Sequence, residues 1–302
     1  MVTLTTEPDT ESIELDSGAR VSGYEATQRK RWPRYLAHAI LIIAVFVFVS
    51  PFVWAFFTSL KPESEIFASI YQIIPSEPTA QNYVQVWNEQ PLDRWVMNSL
   101  IISTGIVFFT LLLDTLAGFA LAKGRFRGRG VTLTLVIGTL VIPPQVVLVP
   151  LFIEMNWLGW GNTYWAIMIL FIANPFGTFM MRQFFMTIPD SLLDAARMDG
   201  CNTFQIYTRI MLPMAKPALA SLTVFTFIFA WGAFLWPLII INDGAMFPLQ
   251  VGIALLTGPY TSNWGQLLAA AIMAAVPVLT AYLLAQQTFM EGIALSGGGK
   301  GQ

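Results

Sequence analysis

Apolar residues in this chain gather into long runs free of Asp, Glu, Lys and Arg, with short charged stretches between them. A helix needs roughly 20 such residues to cross the hydrocarbon of a bilayer. Six runs reach or approach that length: Tyr35–Leu60, Trp95–Ala122, Gly130–Ile153, Trp165–Met181, Ala218–Ile241 and Gln266–Gln286. The pattern predicts an all-α membrane protein with six transmembrane helices. Asp114 is the one carboxylate or fixed cation inside any of them.

The charged stretches give the orientation. All the Lys and Arg residues except Lys61 and Arg94 fall in segments that alternate to one side: 20–34, 123–129, 182–216 and the tail at Lys300. Cytoplasmic loops collect Lys and Arg. Both termini are therefore expected in the cytoplasm, with the long polar stretch between helices 4 and 5. Trp157, Trp160, Trp165 and Trp264 border the opposite interface, where amphipathic rings are favoured. Residues 1–34 read as a cytoplasmic tail, acidic and disordered at first and then basic at Arg29-Lys30-Arg31. Residues 35–291 read as the transmembrane domain and 292–302 as a glycine-rich cytoplasmic tail. The first run starts too late and runs too long for a cleaved signal peptide.

Composition agrees and excludes other classes. The chain is 55% hydrophobic and 11% charged, against roughly 25% charged in a soluble domain. A net charge of −2 offers nothing to nucleic acid. Cys201 and His38 stand alone, which excludes an intrachain disulfide and any cysteine-rich or histidine-rich metal site. The glycine run before Lys300 is not a phosphate loop, because Gly301 follows where Ser or Thr is required. Residues 61–94 are acidic and interrupted by prolines. They suit a docking surface for an external protein and equally a plain connector.

Several runs carry proline at membrane depth, notably Pro143-Pro144 before Gln145 and Pro175 after Asn174. Each proline removes a backbone hydrogen bond. The freed groups must find partners in protein or water, so such breaks gather around protected cavities. Gln145 and Asn174 are therefore candidates for a solute path, although kinks also serve packing alone. A carboxylate inside a span costs about 2.5–3.5 kcal/mol on insertion scales, which makes Asp114 a candidate too. Three roles stand open for it: contact with solute, pairing with another subunit, or access to water near Lys123.

The stretch Asp194–Pro213 (DAARMDGCNTFQIYTRIMLP) is the most specific in the chain. Pro189-Asp190-Ser191 signals a helix start, with Ser191 and Asp194 spaced as a capping box. A short helix is expected to Asp199, ended by Gly200 in the left-handed conformation. Asn202 or Thr203 caps a second helix with Phe204, Tyr207, Ile210 and Met211 on one face. Pro213 and Pro217 then redirect the chain. Two short helices at an angle form a knob suited to a groove on a soluble partner.

Asp194-Ala195-Ala196, three residues, Gly200, nine residues, then Ile210-x-Leu212-Pro213 resembles the cytoplasmic loop of ABC importer permeases. In that family the loop begins with Glu, where this chain has Asp194. The resemblance implies that residues 190–213 dock into a cleft of an ATP-hydrolysing subunit. It assigns coupling to Asp194, Ala195, Ala196, Arg197, Asp199, Gly200, Ile210, Leu212 and Pro213. Further stretches resemble the carbohydrate-uptake branch: Ser59-Leu60-Lys61-Pro62, Asn98-Ser99-Leu100, Arg125-Phe126-Arg127-Gly128-Arg129, Arg182-Gln183-Phe184-Phe185 and Phe234-Leu235-Trp236-Pro237-Leu238.

The resemblance implies a second homologous permease subunit, two ATP-binding subunits that hold ATP and magnesium, and an extracytoplasmic solute-binding protein. It implies a bacterial or archaeal cytoplasmic membrane, no cofactor in this chain and no enzyme activity of its own. The solute expected is a carbohydrate or a polyol, phosphorylated or not. Trp231, Phe234 and Trp236 offer aromatic faces to a sugar, or pack. Relatives carry an Asn followed by an acid where this chain has Gly232-Ala233, so polar groups are missing there. The rival reading is a secondary transporter driven by an ion gradient. That class uses inverted repeats and intramembrane ion ligands; no repeat is visible, and Asp114 alone makes a thin ion site.

Overall fold

A computed structural model describes residues 34–67, 72–258 and 263–297, without the side chains of Arg34 and residues 285–297. The basic cluster at 29–31, nearly all of the expected N-terminal tail and residues 298–302 lie outside the described residues. All regular structure among the described residues is helical: α1 (Arg34–Ser59), α2 (Glu63–Ile66), α3 (Gln81–Glu89), α4 (Leu92–Lys123), α5 (Arg129–Thr139), α6 (Pro144–Trp157), α7 (Tyr164–Met168) and α8 (Pro175–Thr187) come first. There follow α9 (Asp190–Met198), α10 (Thr203–Ile206), a π-helical turn (Tyr207–Met211), α11 (Leu212–Met214), α12 (Lys216–Trp231), α13 (Leu235–Ile240), a 3-10 turn (Gly244–Met246), α14 (Leu249–Ala254) and α15 (Trp264–Gly297). The chain divides into Met1–Pro51 and Phe52–Gln302. In the first unit, α1 shows exposed apolar side chains on every face, Ile40 to Ile43 among them, as a lipid-facing helix does.

Three helices are long and apolar enough to cross a membrane: Tyr35–Ser59, Leu92–Lys123 and Trp264–Leu284. Two bent pairs raise the number to five, α5 with α6 (98°) and Thr203–Met214 with α12 (78°). The first pair breaks the expected third run; the fourth is interrupted between α7 and α8 and the fifth between α12 and α13. Proline sets the breaks in the third and fourth runs. Pro144 and Pro175 open α6 and α8 at the first helical position, where a missing N–H costs nothing. The residue before each proline is pushed out of the helical region, at ψ 131° for Pro143 and ψ 113° for Asn174. Helix α15 continues to Gly297, past residue 291 where the transmembrane domain was expected to end.

Helix α4 is the axis of the second unit. Its buried residues recur at helical spacing from Trp95 through Ile102, Ile106, Thr110, Asp114 and Gly118 to Leu121, and α8 and α12 pack along that face. Gly118 sets the crossing with α8. A Cβ there would stand 2.8 Å from that of Met181 and 2.9 Å from the Arg182 nitrogen. Small residues permit such close approach where lipid offers no hydrophobic drive between helices.

The same face carries an unusual number of polar side chains, and most of them serve the backbone of a neighbouring break. Near its start, Asn98 donates through Nδ2 to the Ala245 and Phe247 carbonyls (3.0 Å each) and accepts from the Tyr164 hydroxyl (2.8 Å). The Ser99 hydroxyl accepts from the Leu249 N–H (2.7 Å). Midway, Thr110 donates to the Phe171 carbonyl (3.2 Å). At the far end Arg129 folds back, donating from Nε to the Leu121 carbonyl (2.8 Å) and from Nη2 to that of Ala122 (2.9 Å). A cation there also suits the negative end of the helix dipole. Replacing Asn98 by Ala strands two carbonyls and one hydroxyl. Purified Asn98→Ala protein is expected to lose about 1–3 kcal/mol, read as a lower melting temperature in detergent; an unchanged melting curve counts against this role.

Candidate functional site

The elbow is built from the residues that the sequence marks. Helix α9 starts at Asp190 after Pro189, and no side chain caps it; the expected box of Ser191 and Asp194 does not form. Asp194 pairs instead with Arg197 (2.6 Å) on the exposed surface. The helix ends at Met198, and Gly200 follows at φ +84°, a conformation that glycine adopts without strain. Asn202 caps α10 in a full box: its Oδ1 accepts from the Gln205 N–H, and Gln205 Oε1 accepts from the Asn202 N–H, both at 2.9 Å.

Burial divides the elbow into two faces. Leu193, Ala196, Ile206, Tyr207 and Met211 turn inward, onto a core with Met181, Phe185 and Ala215. Asp194, Ala195, Arg197, Asp199, Gly200 and Pro213 face outward, and Ile210 and Leu212 are half-buried. The single face expected for Phe204, Tyr207, Ile210 and Met211 does not form. The chain widens into a π turn at Tyr207–Met211, so Tyr207 and Met211 turn inward while Phe204 stays 69% exposed. Pro213 accounts for the widening, since it lacks an N–H and crowds the preceding turn. Leu192, Met198 (88% exposed) and Phe204 leave three large apolar side chains exposed on the elbow.

Two contacts tie this knob to α4. Lys123, the last residue of α4, is nearly buried and donates to the Ile188 carbonyl (2.7 Å) and to Asp190 Oδ1 (2.6 Å). The Tyr207 hydroxyl shares a 2.6 Å hydrogen bond with that of Thr115. The Lys123 hydrogen bond and charge, helped by Arg125 and Arg197, hold the Asp190 carboxyl below its ordinary value of 3.8. A lowered acid stabilises the fold fully above pH 3.8 and loses that contribution as pH falls through its folded value. Asp190 is exposed, so salt screens part of the effect.

Where the spans break, two cavities lie side by side. The larger, about 530 Å³, is lined by Pro144, Gln145, Leu148, Leu170 and Phe171, and by residues of the α12–α13 break from Gly232 to Trp236. The smaller, about 350 Å³, is lined by Asn174, Phe176, Leu222, Phe225 and Thr226. Ile106 lines it too. Phe171 and Phe229 line both cavities, and their rings meet edge to face at 5.8 Å. Of the six path residues expected, Gln145, Phe234 and Trp236 meet at the larger cavity and Asn174 at the smaller. Trp236 is almost fully buried and donates to the Ala166 carbonyl (2.8 Å). Trp231 lines neither cavity. It stacks on Phe227 and donates to the Ala274 carbonyl of α15 (3.1 Å).

Asp114 lines neither cavity either. Its Oδ1 accepts from the Asn174 N–H (3.2 Å) and the Thr178 hydroxyl (3.0 Å), so the carboxylate seats the first turn of α8. Its Oδ2 has no partner among the described residues and lies where a Cβ on residue 177 would collide with it. Gly177 is thus the counterpart of Asp114. Sequence reasoning did not join Lys123 to Asp190, Tyr207 to Thr115, or Thr178 and Gly177 to Asp114; only a pairing across 60 or more positions would have marked the last two.

Known proteins add a family and relatives. Residues 114–287 match the family described as binding-protein-dependent transport system inner membrane component. The arabinooligosaccharides transport system permease protein AraQ of Halalkalibacterium halodurans is 36% identical over 255 residues, 83% of this chain and 91% of that one. The sn-glycerol-3-phosphate transport system permease protein UgpE of Escherichia coli O1:K1 / APEC is 30% identical over 88% of this chain and 98% of its own length. A crystal structure of a bacterial ABC transporter involved in import of the acidic polysaccharide alginate superposes with a TM-score of 0.75. That match has 26% identity and covers 85% of this chain and 96% of that chain.

Two outcomes test this geometry. Gly177→Ala forces a methyl against Asp114 and Leu222, and overpacking of this kind costs about 1–3 kcal/mol. Lower thermal stability is expected, relieved in the double variant with Asp114→Ala; additive losses count against the contact. Asp190→Asn removes the acid limb of the stability profile assigned to the Lys123 pair. An unaltered pH profile below 3.8 sets that pair aside.

Proposed function

The chain belongs to the binding-protein-dependent transport system inner membrane component family, and from that premise we infer that it is the permease subunit of an ATP-driven importer for a carbohydrate or polyol. It is a membrane-embedded transport subunit rather than an enzyme, and family membership displaces the ion-gradient transporter. In our reading α7 with α8 and α12 with α13 each make one broken span, which gives six spans with both termini in the cytoplasm. The elbow then faces the cytoplasm between the fourth and fifth. The transmembrane domain takes in 35–291, flanked by the two tails.

One observation carries the coupling role. The outward face leaves Leu192, Met198 and Phe204 uncovered on a knob whose inward face is packed and whose second helix is capped. Such a surface fits a groove on an ATP-binding subunit. Two copies of that subunit would hold the ATP and magnesium, beside a second homologous permease and an extracytoplasmic solute-binding protein. Residues 190–213 make the contact in this reading, with Asp194, Arg197, Asp199 and Gly200 at its surface.

The solute passes from the larger cavity to the smaller, with Phe171 and Phe229 forming the wall between them. Aromatic faces and the Gln145 amide suit a sugar ring or polyol, which presents both apolar and hydroxyl edges. Relatives named for arabinooligosaccharides and for sn-glycerol-3-phosphate support that solute class.

The decisive measurement is uptake of labelled oligosaccharide or glycerol phosphate by the assembled importer in proteoliposomes. ATP-dependent uptake is expected, and Gly200→Val should cut it by about tenfold or more while the spans stay folded, because a β-branched residue resists a positive φ. Uptake without ATP overturns the importer reading. Full activity of the Gly200→Val complex overturns the role of the turn.

A further inference from the structure

At the end of α4 away from the elbow, α1 gives way to a tight turn that carries Lys61. This lysine is only 2% exposed, and its backbone is firmly held. The Asn82 amide donates to the Ser59 and Lys61 carbonyls (2.8 Å each), and the Lys61 N–H donates to the Thr58 carbonyl (3.1 Å). Its Nζ donates to the Gln72 carbonyl. An ammonium carries three donor hydrogens, and no carboxylate pairs with this one among the described residues. The acids beside it in sequence turn elsewhere, Glu63 to the Gly265 N–H (3.4 Å) and Glu65 to the Ser76 N–H (2.9 Å). Buried charges are ordinarily paired. Lys61 is a buried cation with donors to spare.

It also lines a cavity of about 270 Å³, together with Trp54, Thr58, Phe67, Trp264 and Leu268. Thr58 is 1% exposed, and its hydroxyl has no partner among the described residues. A spare ammonium and a spare hydroxyl therefore line one opening. We propose that this cavity is an anion site that takes the headgroup phosphate of a phospholipid. The ammonium and hydroxyl supply donors to phosphate oxygens. Trp54 and Trp264 are the residue type that settles at headgroup level. The flanks favour a lipid over a soluble phosphate. Phe52 and Val53 on α1, and Val276 and Leu279 on α15, are exposed and apolar, as acyl chains require. The proposal rests on the membrane reading but not on the coupling role of the elbow.

The test is native mass spectrometry of the assembled importer, extracted in mild detergent and titrated with phosphatidylglycerol or with inorganic phosphate. Wild type is expected to retain a phospholipid that Lys61→Met and Thr58→Val each hold at least about fivefold less well, roughly the worth of one hydrogen bond. Lys61→Arg should retain it. Equal retention by wild type and both variants overturns the proposal. So does displacement of the lipid by inorganic phosphate, which would make the ligand a soluble anion. A wild-type complex with no bound lipid, in which Lys61 cross-links to a carboxylate of the neighbouring permease, overturns it as well. Should Lys61→Met fail to assemble, Thr58→Val decides alone, since it keeps the charge and nearly the same volume. ATP-driven uptake is read separately, so loss of lipid and loss of transport remain distinct results.

Discussion

A backbone amide or carbonyl left unpaired in hydrocarbon costs several kcal/mol, and this fold breaks its spans repeatedly. Several of the breaks are tolerated because one helix carries the missing partners. Side chains of α4 meet the loops around Ala245 and Leu249, the open stretch between α7 and α8, and the junction before α9. Where bulk would interfere, glycine stands instead, at Gly118 against α8 and at Gly177 against Asp114. The polar residues of α4 thus steady irregular backbone between α7 and α8, and both cavities are lined in part by that stretch, at Phe171 and Asn174.

Asp114 shows how this reading alters a functional candidate. A lone intramembrane carboxylate invites a role in solute or ion binding. In the fold it is turned toward the N–H of Asn174 and the hydroxyl of Thr178, where an acceptor is needed. Trp231 and Trp236 follow the same logic, since both indoles donate to carbonyls of other helices. What remains for solute is a smaller and more apolar set, with Gln145 and Asn174 as its amides. Gly232-Ala233, conspicuous for lacking polar groups, lines the larger cavity.

Much of this was legible in the order of residues. Charge-free runs marked apolar helices, Gly200 the positive φ, and Asn202 or Thr203 the cap that Asn202 supplies, because each depends on local chemistry. Pro144 and Pro175 announced the breaks for the same reason. Less legible were the ties between distant segments. Lys123 with Asp190 and Thr115 with Tyr207 join positions far apart in sequence, and no periodicity marks them. The π turn escaped too, since α-helical spacing placed Tyr207 on the same face as Phe204. The span count stayed coarse in the structure for a physical reason: a proline-broken run is no longer one straight helix.

Helix α4 has 32 residues, and at 1.5 Å per residue it is about 48 Å long. That exceeds the roughly 30 Å of hydrocarbon it would cross, so one unbroken rod reaches water on both sides. Its first turns grip the loops around Ala245 and Leu249, while its last turns grip the elbow. By lever geometry, tilting such a rod by about 5° swings one end by roughly 4 Å relative to the other. With no proline along its length to absorb the tilt, a push at Lys123 reaches Asn98 with little lost between. In the proposed topology, the helix that carries partners for several breaks is also long and unbroken enough to link the two faces of the membrane.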